Sequence, residues 1–305
     1  MADPQAPPPA PIEPVIGIVG GSGLYDIEGL EETTWRQVET PWGTPSDALL
    51  FGRLEGVHCV FLPRHGRGHP LSPTHLNYRA NIDALKRFGV TDVVSLSAVG
   101  SLREDLPPGH FVIVDQFIDR SFAREKSFFG EGVVAHVSMA HPVCPRLGDA
   151  LEASCRSLAL PVTRGGTYLV MEGPQFSTKA ESELYRSWGC SVIGMTNMPE
   201  AKLAREAELC YATVAMVTDF DCWHPEHDDV DVAAVIEVVR ANAQAASRLL
   251  ARLLRDFPAE HEACPNGSDR ALDNAILTVP EARAPALLRK LDAVMGRLNG
   301  KQART

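Results

Sequence analysis

The chain has 305 residues, 45% of them hydrophobic and 22% charged, with 39 acidic against 29 basic side chains and a formal charge of −10. That balance excludes a surface built for nucleic acid or an anionic membrane, yet leaves room for one locally positive pocket around a small anion. A chain of this length buries a sizeable core without disulfides or a metal, and the length prior is one large α/β domain or two ordinary ones.

Residues 1–14 carry six prolines and neither a basic nor an apolar signal region, so they read as an extended or disordered tail rather than a secretory signal. A β-branched run at 15–19 enters the turn Gly20-Gly21-Ser22-Gly23. Further strands are predicted at 57–62, 92–97, 110–115, 167–171, 192–195 and 212–218. Helices are predicted at 76–88 and 177–188, each ending at a glycine, at 146–158, at 199–208 behind Pro199, and at 232–256. Strands alternating with helices predict a mixed, partly parallel central sheet flanked by helices. Beyond Pro258 the composition turns loop-like, and a last apolar segment and helix, about 271–299, is read as appended to the same domain. The expected organisation is a tail (1–14), an α/β domain (15–258) and an appendage (259–305). The longest uncharged apolar stretch, about 209–217, is far short of the ~20 residues that span a bilayer.

Seven cysteines, an odd number with no C-x-x-C pair, predict buried reduced thiols in a cytoplasmic protein. Neither they nor the ten scattered histidines show zinc-ligand spacing, so no metal is expected.

Six segments carry candidate chemistry, each with a plain structural alternative. The Gly20–Gly23 turn offers backbone amides and the Ser22 hydroxyl to an anion, or is simply a tight turn; it matches neither the dinucleotide fingerprint nor a Walker loop. Leu62-Pro63-Arg64-His65-Gly66-Arg67-Gly68-His69 offers guanidinium forks to phosphate, or is a solvated basic loop. The small residues around Ser97 and Ala98 leave space at a strand's carboxyl end, or pack tightly. Phe176 and Ser177 can stack on and hydrogen-bond a flat heterocycle, or serve as a core residue and a helix cap. Met195 and Thr196 end a strand as ligand contacts or as packing. Asp219 and Asp221, at i and i+2, lie on one side of an extended chain and can supply a general acid, or form an Asx turn.

Taken together, GIVGGSGLYD, LPRHGRGH, MEGPQFSTKAE, GMTNMPEAKLARE and TDFDCW resemble the trimeric purine nucleoside phosphorylase family. The likeness runs from about Pro14 to Asp256 and is nearest the branch that acts on S-methyl-5′-thioadenosine; residues 271–305 depart most. It implies phosphorolysis, in which inorganic phosphate displaces a purine from C1′ of a nucleoside, in a cytoplasmic homotrimer without metal or organic cofactor. By the resemblance, Ser22, Arg64, His65, Ser97, Ala98 and Thr196 hold phosphate, Met195 lines the ribose, and Phe176 and Ser177 flank the base. Asp219 and Asp221 recognise the purine, with Asp219 as general acid. Val232 lies near the 5′ substituent, and His136 reaches it from a neighbouring subunit. A carboxylate where 6-oxopurine enzymes carry asparagine favours 6-aminopurines, because Asp facing a carbonyl oxygen would oppose two acceptors at a cost of ~1–3 kcal/mol. A broader enzyme accepting adenosine or 6-oxo nucleosides is the alternative.

Overall fold

The computed structural model describes residues 12–21, 27, 29–225 and 232–300, with side chains at 232–236 not among those described. Most of the proline tail, Ser22, the Val232 side chain and residues 301–305 therefore lie outside the described residues.

In chain order the elements are β1 (Val15–Gly20), β2 (Glu31–Arg36), β3 (Leu49–Leu54), β4 (Val57–Pro63), α1 (Tyr78–Arg87), β5 (Asp92–Ser101), β6 (Phe111–Ile113), β7 (Gln116–Asp119) and α2 (Pro145–Ser157). They continue with β8 (Val162–Arg164), β9 (Thr167–Val170), α3 (Lys179–Ser187), β10 (Val192–Gly194), α4 (Asn197–Glu206), β11 (Cys210–Asp219), α5 (Val232–Arg255) and α6 (Pro285–Lys290).

The strands form one 11-stranded mixed sheet that branches at β5. The first half of β5 lies parallel between β1 and β11, and its end pairs antiparallel with β10. β4 lies parallel to β1. The carboxyl ends of β4, β1, β5 and β11 therefore open on one side, where sheets of this kind place ligands, and β10 runs back into the same region.

Side-chain alternation splits the core between the faces of this sheet. Val19, Val93, Ile82, Leu85 and Leu203 pack together, joining the sheet to α1 and α4. Ile16, Ile18, Val94, Leu96, Leu147 and Leu249 form a second cluster with α2 and α5. Gly17 is needed for close packing, since a Cβ there would lie 2.9 Å from the Val90 side chain. Leu291, Val294 and Met295 of the C-terminal segment are buried in the same cluster as Val93, and Arg297 is hydrogen-bonded to Glu208 at 2.6 Å. Among the described residues, no helix is long and apolar enough to cross a membrane.

Several sequence expectations change in detail. The helix expected from Ser177 starts at Lys179 because Thr178 closes a reciprocal capping box with Glu181. The strand expected at 110–115 keeps only Phe111–Ile113. The last helix covers only Pro285–Lys290, followed by successive turns to residue 300. β2, β3, β7 and β8 were not expected. β2 is an exposed edge strand, EETTWR, without apolar alternation, and β8 has only three residues.

Candidate active site

Arg64 follows β4 and is 2% exposed. Its Nε donates to Glu200 Oε2 at 2.7 Å and its Nη2 to Glu200 Oε1 at 3.1 Å, while Nη2 also donates to Ser95 Oγ and Nη1 to the Leu96 carbonyl. Burial opposes the guanidinium charge, but Glu200 more than restores it. A guanidinium has five N–H groups, so one Nη1 hydrogen is left outside these bonds. The adjacent His65 is also buried; burial lowers its pKa to about 4, so it is neutral near pH 7. The Leu71 carbonyl can only accept, so at 2.9 Å it fixes the proton on Nδ1 and leaves Nε2 as an acceptor. The basic loop expected from the sequence thus has both arginines charge-paired, Arg64 with Glu200 and Arg67 with Asp47, and a neutral His65 stacked on His69 at 4.1 Å between ring centroids.

Ser97 lies in the middle of β5, and its hydroxyl meets Tyr168 Oη at 3.0 Å and Thr196 Oγ1 at 3.4 Å. Antiparallel pairing of β10 with the end of β5 brings Thr196 back beside Ser97. Thr196 occupies the N-cap position of α4 without a side-chain cap bond, so its hydroxyl is not spent on the helix. Ala98 is the one exposed residue of β5, which makes it an open floor between these hydroxyls and the rest of the strand end.

Asp219 ends β11, part-buried, and pairs with Gly100 of β5. Ser97 and Gly100 are three residues apart, roughly 10 Å of extended chain. Thr218 Oγ1 donates to Asp219 Oδ2 at 2.7 Å, and the Asp221 amide donates to Oδ1 at 2.8 Å. The second bond is an Asx turn. Asp221 has φ +53°, so the two carboxylates converge through a turn, not along an extended strand as the i, i+2 spacing implied. Burial raises the pKa of both acids, and for Asp221 the neighbouring Asp219 charge reinforces the shift. Asp221 Oδ2 is buried without a hydrogen-bond partner. A Cβ on Gly100 would stand 2.9 Å from Asp219 Oδ1, so only glycine leaves that carboxylate its place.

Phe176 is 50% exposed, not core. Ser177 is not the helix cap; its hydroxyl lies 3.7 Å from Met171 Sδ, and its carbonyl accepts from the Cys222 thiol. Met195 packs against Gly173, whose φ of +68° and contact with the Met195 sulfur leave no room for a side chain. His136 is exposed and linked through its amide to the Ala275 carbonyl, with no described contact to Asp219 or Thr196. A cavity of about 300 Å³ runs from His136 past Arg205 to Gly267.

Several supporting groups escaped sequence reasoning. Arg124 donates to the carbonyls of Met171, Glu172, Met195 and Met198, and to Tyr78 Oη. Glu172 faces it, accepting from Arg124 Nε at 3.1 Å, from Thr74 Oγ1, and from the Phe122 and Ala123 amides. Burial works against ionising Glu172, but these donors outweigh it and bring its pKa to about 2. Glu200, Asn197 and Tyr211 form a buried polar group behind Arg64. Glu172 and Glu200 stood in conspicuous motifs, but only the fold gives them partners 48 and 136 residues away.

Residues 15–255 match the phosphorylase superfamily. The chain belongs to that family. It is 64% identical over 284 residues to the S-methyl-5′-thioadenosine phosphorylase of Cereibacter sphaeroides, covering 93% of this chain and 98% of the relative. Among solved structures, a methylthioadenosine phosphorylase from an Antarctic soil metagenomic library is 45% identical with a TM-score of 0.85, covering 92% of this chain and 99% of that one. A variant of the adenosine/methylthioadenosine phosphorylase of Schistosoma mansoni, in complex with methylthioadenosine, is 39% identical with a TM-score of 0.75, covering 79% and 91%. The mixed sheet flanked by helices is the fold of this superfamily.

Proposed function

We propose that the protein catalyses phosphorolysis of S-methyl-5′-thioadenosine to adenine and 5-methylthioribose 1-phosphate. The observation that carries this reading is the pair Asp219 and Asp221 at the end of β11, desolvated and inclined to hold a proton, about three strand residues from the hydroxyls of Ser97 and Thr196. The relatives' names point to the same substrate.

In this reading phosphate lies over Ala98, held by Ser97, Thr196, the remaining Arg64 hydrogen, His65 and the Ser22 loop. Neutral His65 accepts at Nε2, so it takes a hydrogen bond from the P–OH of monohydrogen phosphate, which keeps its proton. Met195 lines the ribose, Phe176 stacks on the base, and Ser177 borders it. Glycosidic cleavage builds positive charge on the sugar, which the phosphate stabilises before attacking C1′. The departing purine gains electron density at N7, and protonated Asp219 supplies the proton, a contribution of ~10²–10⁴-fold. The other Asp219 oxygen accepts from the exocyclic 6-amino group, and Asp221 stands beside it as the second purine-recognising acid. Inorganic phosphate is the only co-reactant.

By the family resemblance Val232 is assigned a position near the 5′ substituent. The exposed position of His136 supports a role in a neighbouring subunit of a homotrimer, and free cysteines support a cytoplasmic setting. A second reading, broader use of adenosine, is favoured by the naming of the Schistosoma mansoni relative. Adenine release in phosphate-free buffer tests the reading: it should be negligible and rise saturably with added phosphate, and release independent of phosphate would overturn phosphorolysis.

A further inference from the structure

Cys144, Cys210 and Cys264 are far apart in sequence, yet their sulfurs lie within 4.8 Å of one another and all three residues are buried. Each comes from a different part of the fold: Cys144 is the N-cap residue of α2, Cys210 opens β11, and Cys264 sits in the loop that leads to the C-terminal segment. Zinc–sulfur bonds are about 2.3 Å, so three thiolates on one ion stand roughly 4 Å apart, which fits sulfurs that all lie within 4.8 Å of one another.

From this trio we infer a binding site for one thiophilic divalent cation, of the Zn(II) or Cd(II) class, that ties the C-terminal loop to the sheet and α2. The local charges select the valence. Arg146 beside the cluster is already neutralised by Asp92, which also faces His261 at 3.0 Å. Arg205 is buried, donates to the carbonyls of Ser138 and His141, and pairs with no carboxylate among the described residues. It is near enough to feel all three sulfurs. Three thiolates and the Arg205 guanidinium leave a net −2 that a divalent ion neutralises inside the buried site; Asp269, which accepts from the Cys264 amide, is partly exposed and keeps its hydration. A monovalent ion would leave excess negative charge and a trivalent one excess positive charge.

The Ser268 hydroxyl, buried and 3.1 Å from the Cys264 sulfur, is an oxygen at hand for the fourth position of a tetrahedral ion. The cavity of about 300 Å³ lined by Arg205, Asn266 and Gly267 lies against the same turn and provides an approach from solvent. Binding replaces three S–H bonds by three metal–sulfur bonds and releases the protons to water, with no redox change.

The test is titration of the reduced, chelator-treated full chain with Cd(II), followed by the ultraviolet sulfur-to-metal charge-transfer band and the thermal unfolding midpoint. One Cd(II) per chain, a raised midpoint, and competition by Zn(II) are expected. Cys264→Ser should weaken Cd(II) binding by at least about 100-fold, since even losing a supporting group beyond the ligands costs about 10–100-fold, while Cys222→Ser should leave the band intact. Because Cys264→Ser removes only the loop ligand, a native-like melt without Cd(II) separates loss of the site from misfolding. No band at one equivalent, or a band that survives Cys264→Ser, would overturn the inference.

Discussion

The Arg64 guanidinium and the Glu200 carboxylate meet in a buried two-bond fork, 2.7 and 3.1 Å long, with both side chains 3% exposed. The arginine proposed to meet phosphate is thereby held at one orientation with its charge balanced. Removing the carboxylate leaves a buried cation unpaired, which costs about 3–5 kcal/mol. Glu200→Ala should lower unfolding free energy by that order in urea. Glu200→Gln, which keeps part of the hydrogen bonding, should lose less stability and raise KM for phosphate more than it lowers kcat.

The alternation of apolar runs made the mixed sheet and five main helices legible in the sequence, because β1, β4, β5 and β11 are apolar strands bounded by turn residues. Legibility failed where partners decide structure. β2 is fully exposed and exists because β3 lies beside it, and the C-terminal turns are held by Arg297 on Glu208 rather than by helical periodicity. For the site, the motifs pointed to residues but not to their state. Nothing in LPRHGRGH announces that Arg64 is paired and His65 neutral, since Glu200 and Leu71 do that from elsewhere in the fold.

Gly100→Ala is a sharp test of the acid end. Its Cβ would crowd Asp219 Oδ1 at 2.9 Å and Asp221 Cβ at 3.4 Å, yet glycine here has no positive φ to lose. The variant should fold, as judged by circular dichroism, but lose about 10²-fold in kcat/KM, the scale expected when a catalytic group shifts by about 1 Å.

Glu172 anchors Arg124 and the Phe122–Ala123 amides. Its pKa falls from 4.5 to about 2 on folding, so its stabilisation is present above pH 4.5 and lost as pH falls through about 2. Glu172→Ala should destabilise the protein by about 3–5 kcal/mol at neutral pH, with Arg124 left buried and unpaired. The difference from wild type should narrow in acid, as measured by denaturant midpoints across pH.

Glu206 has the opposite sign. Burial raises its pKa from 4.5 to about 7, while Ser127 and the Phe128 amide oppose the shift. The folded chain therefore keeps a proton that the unfolded chain releases. The contribution to stability is fully present below pH 4.5 and lost as pH rises to about 7, a change on the order of 3 kcal/mol. Relative to wild type, Glu206→Gln should lack this decline between pH 5 and 7.5, whatever its absolute stability.

Asp219 carries the central claim of a 6-aminopurine phosphorolysis. Activity that needs its protonated form should fall as pH rises through its raised pKa, and Asp219→Asn should shift preference toward 6-oxopurines. The most direct measurement sets S-methyl-5′-thioadenosine, adenosine and methylthioinosine against one another at saturating phosphate and compares kcat/KM. The account predicts methylthioadenosine first and methylthioinosine last. Methylthioinosine in first place would contradict the role given to Asp219.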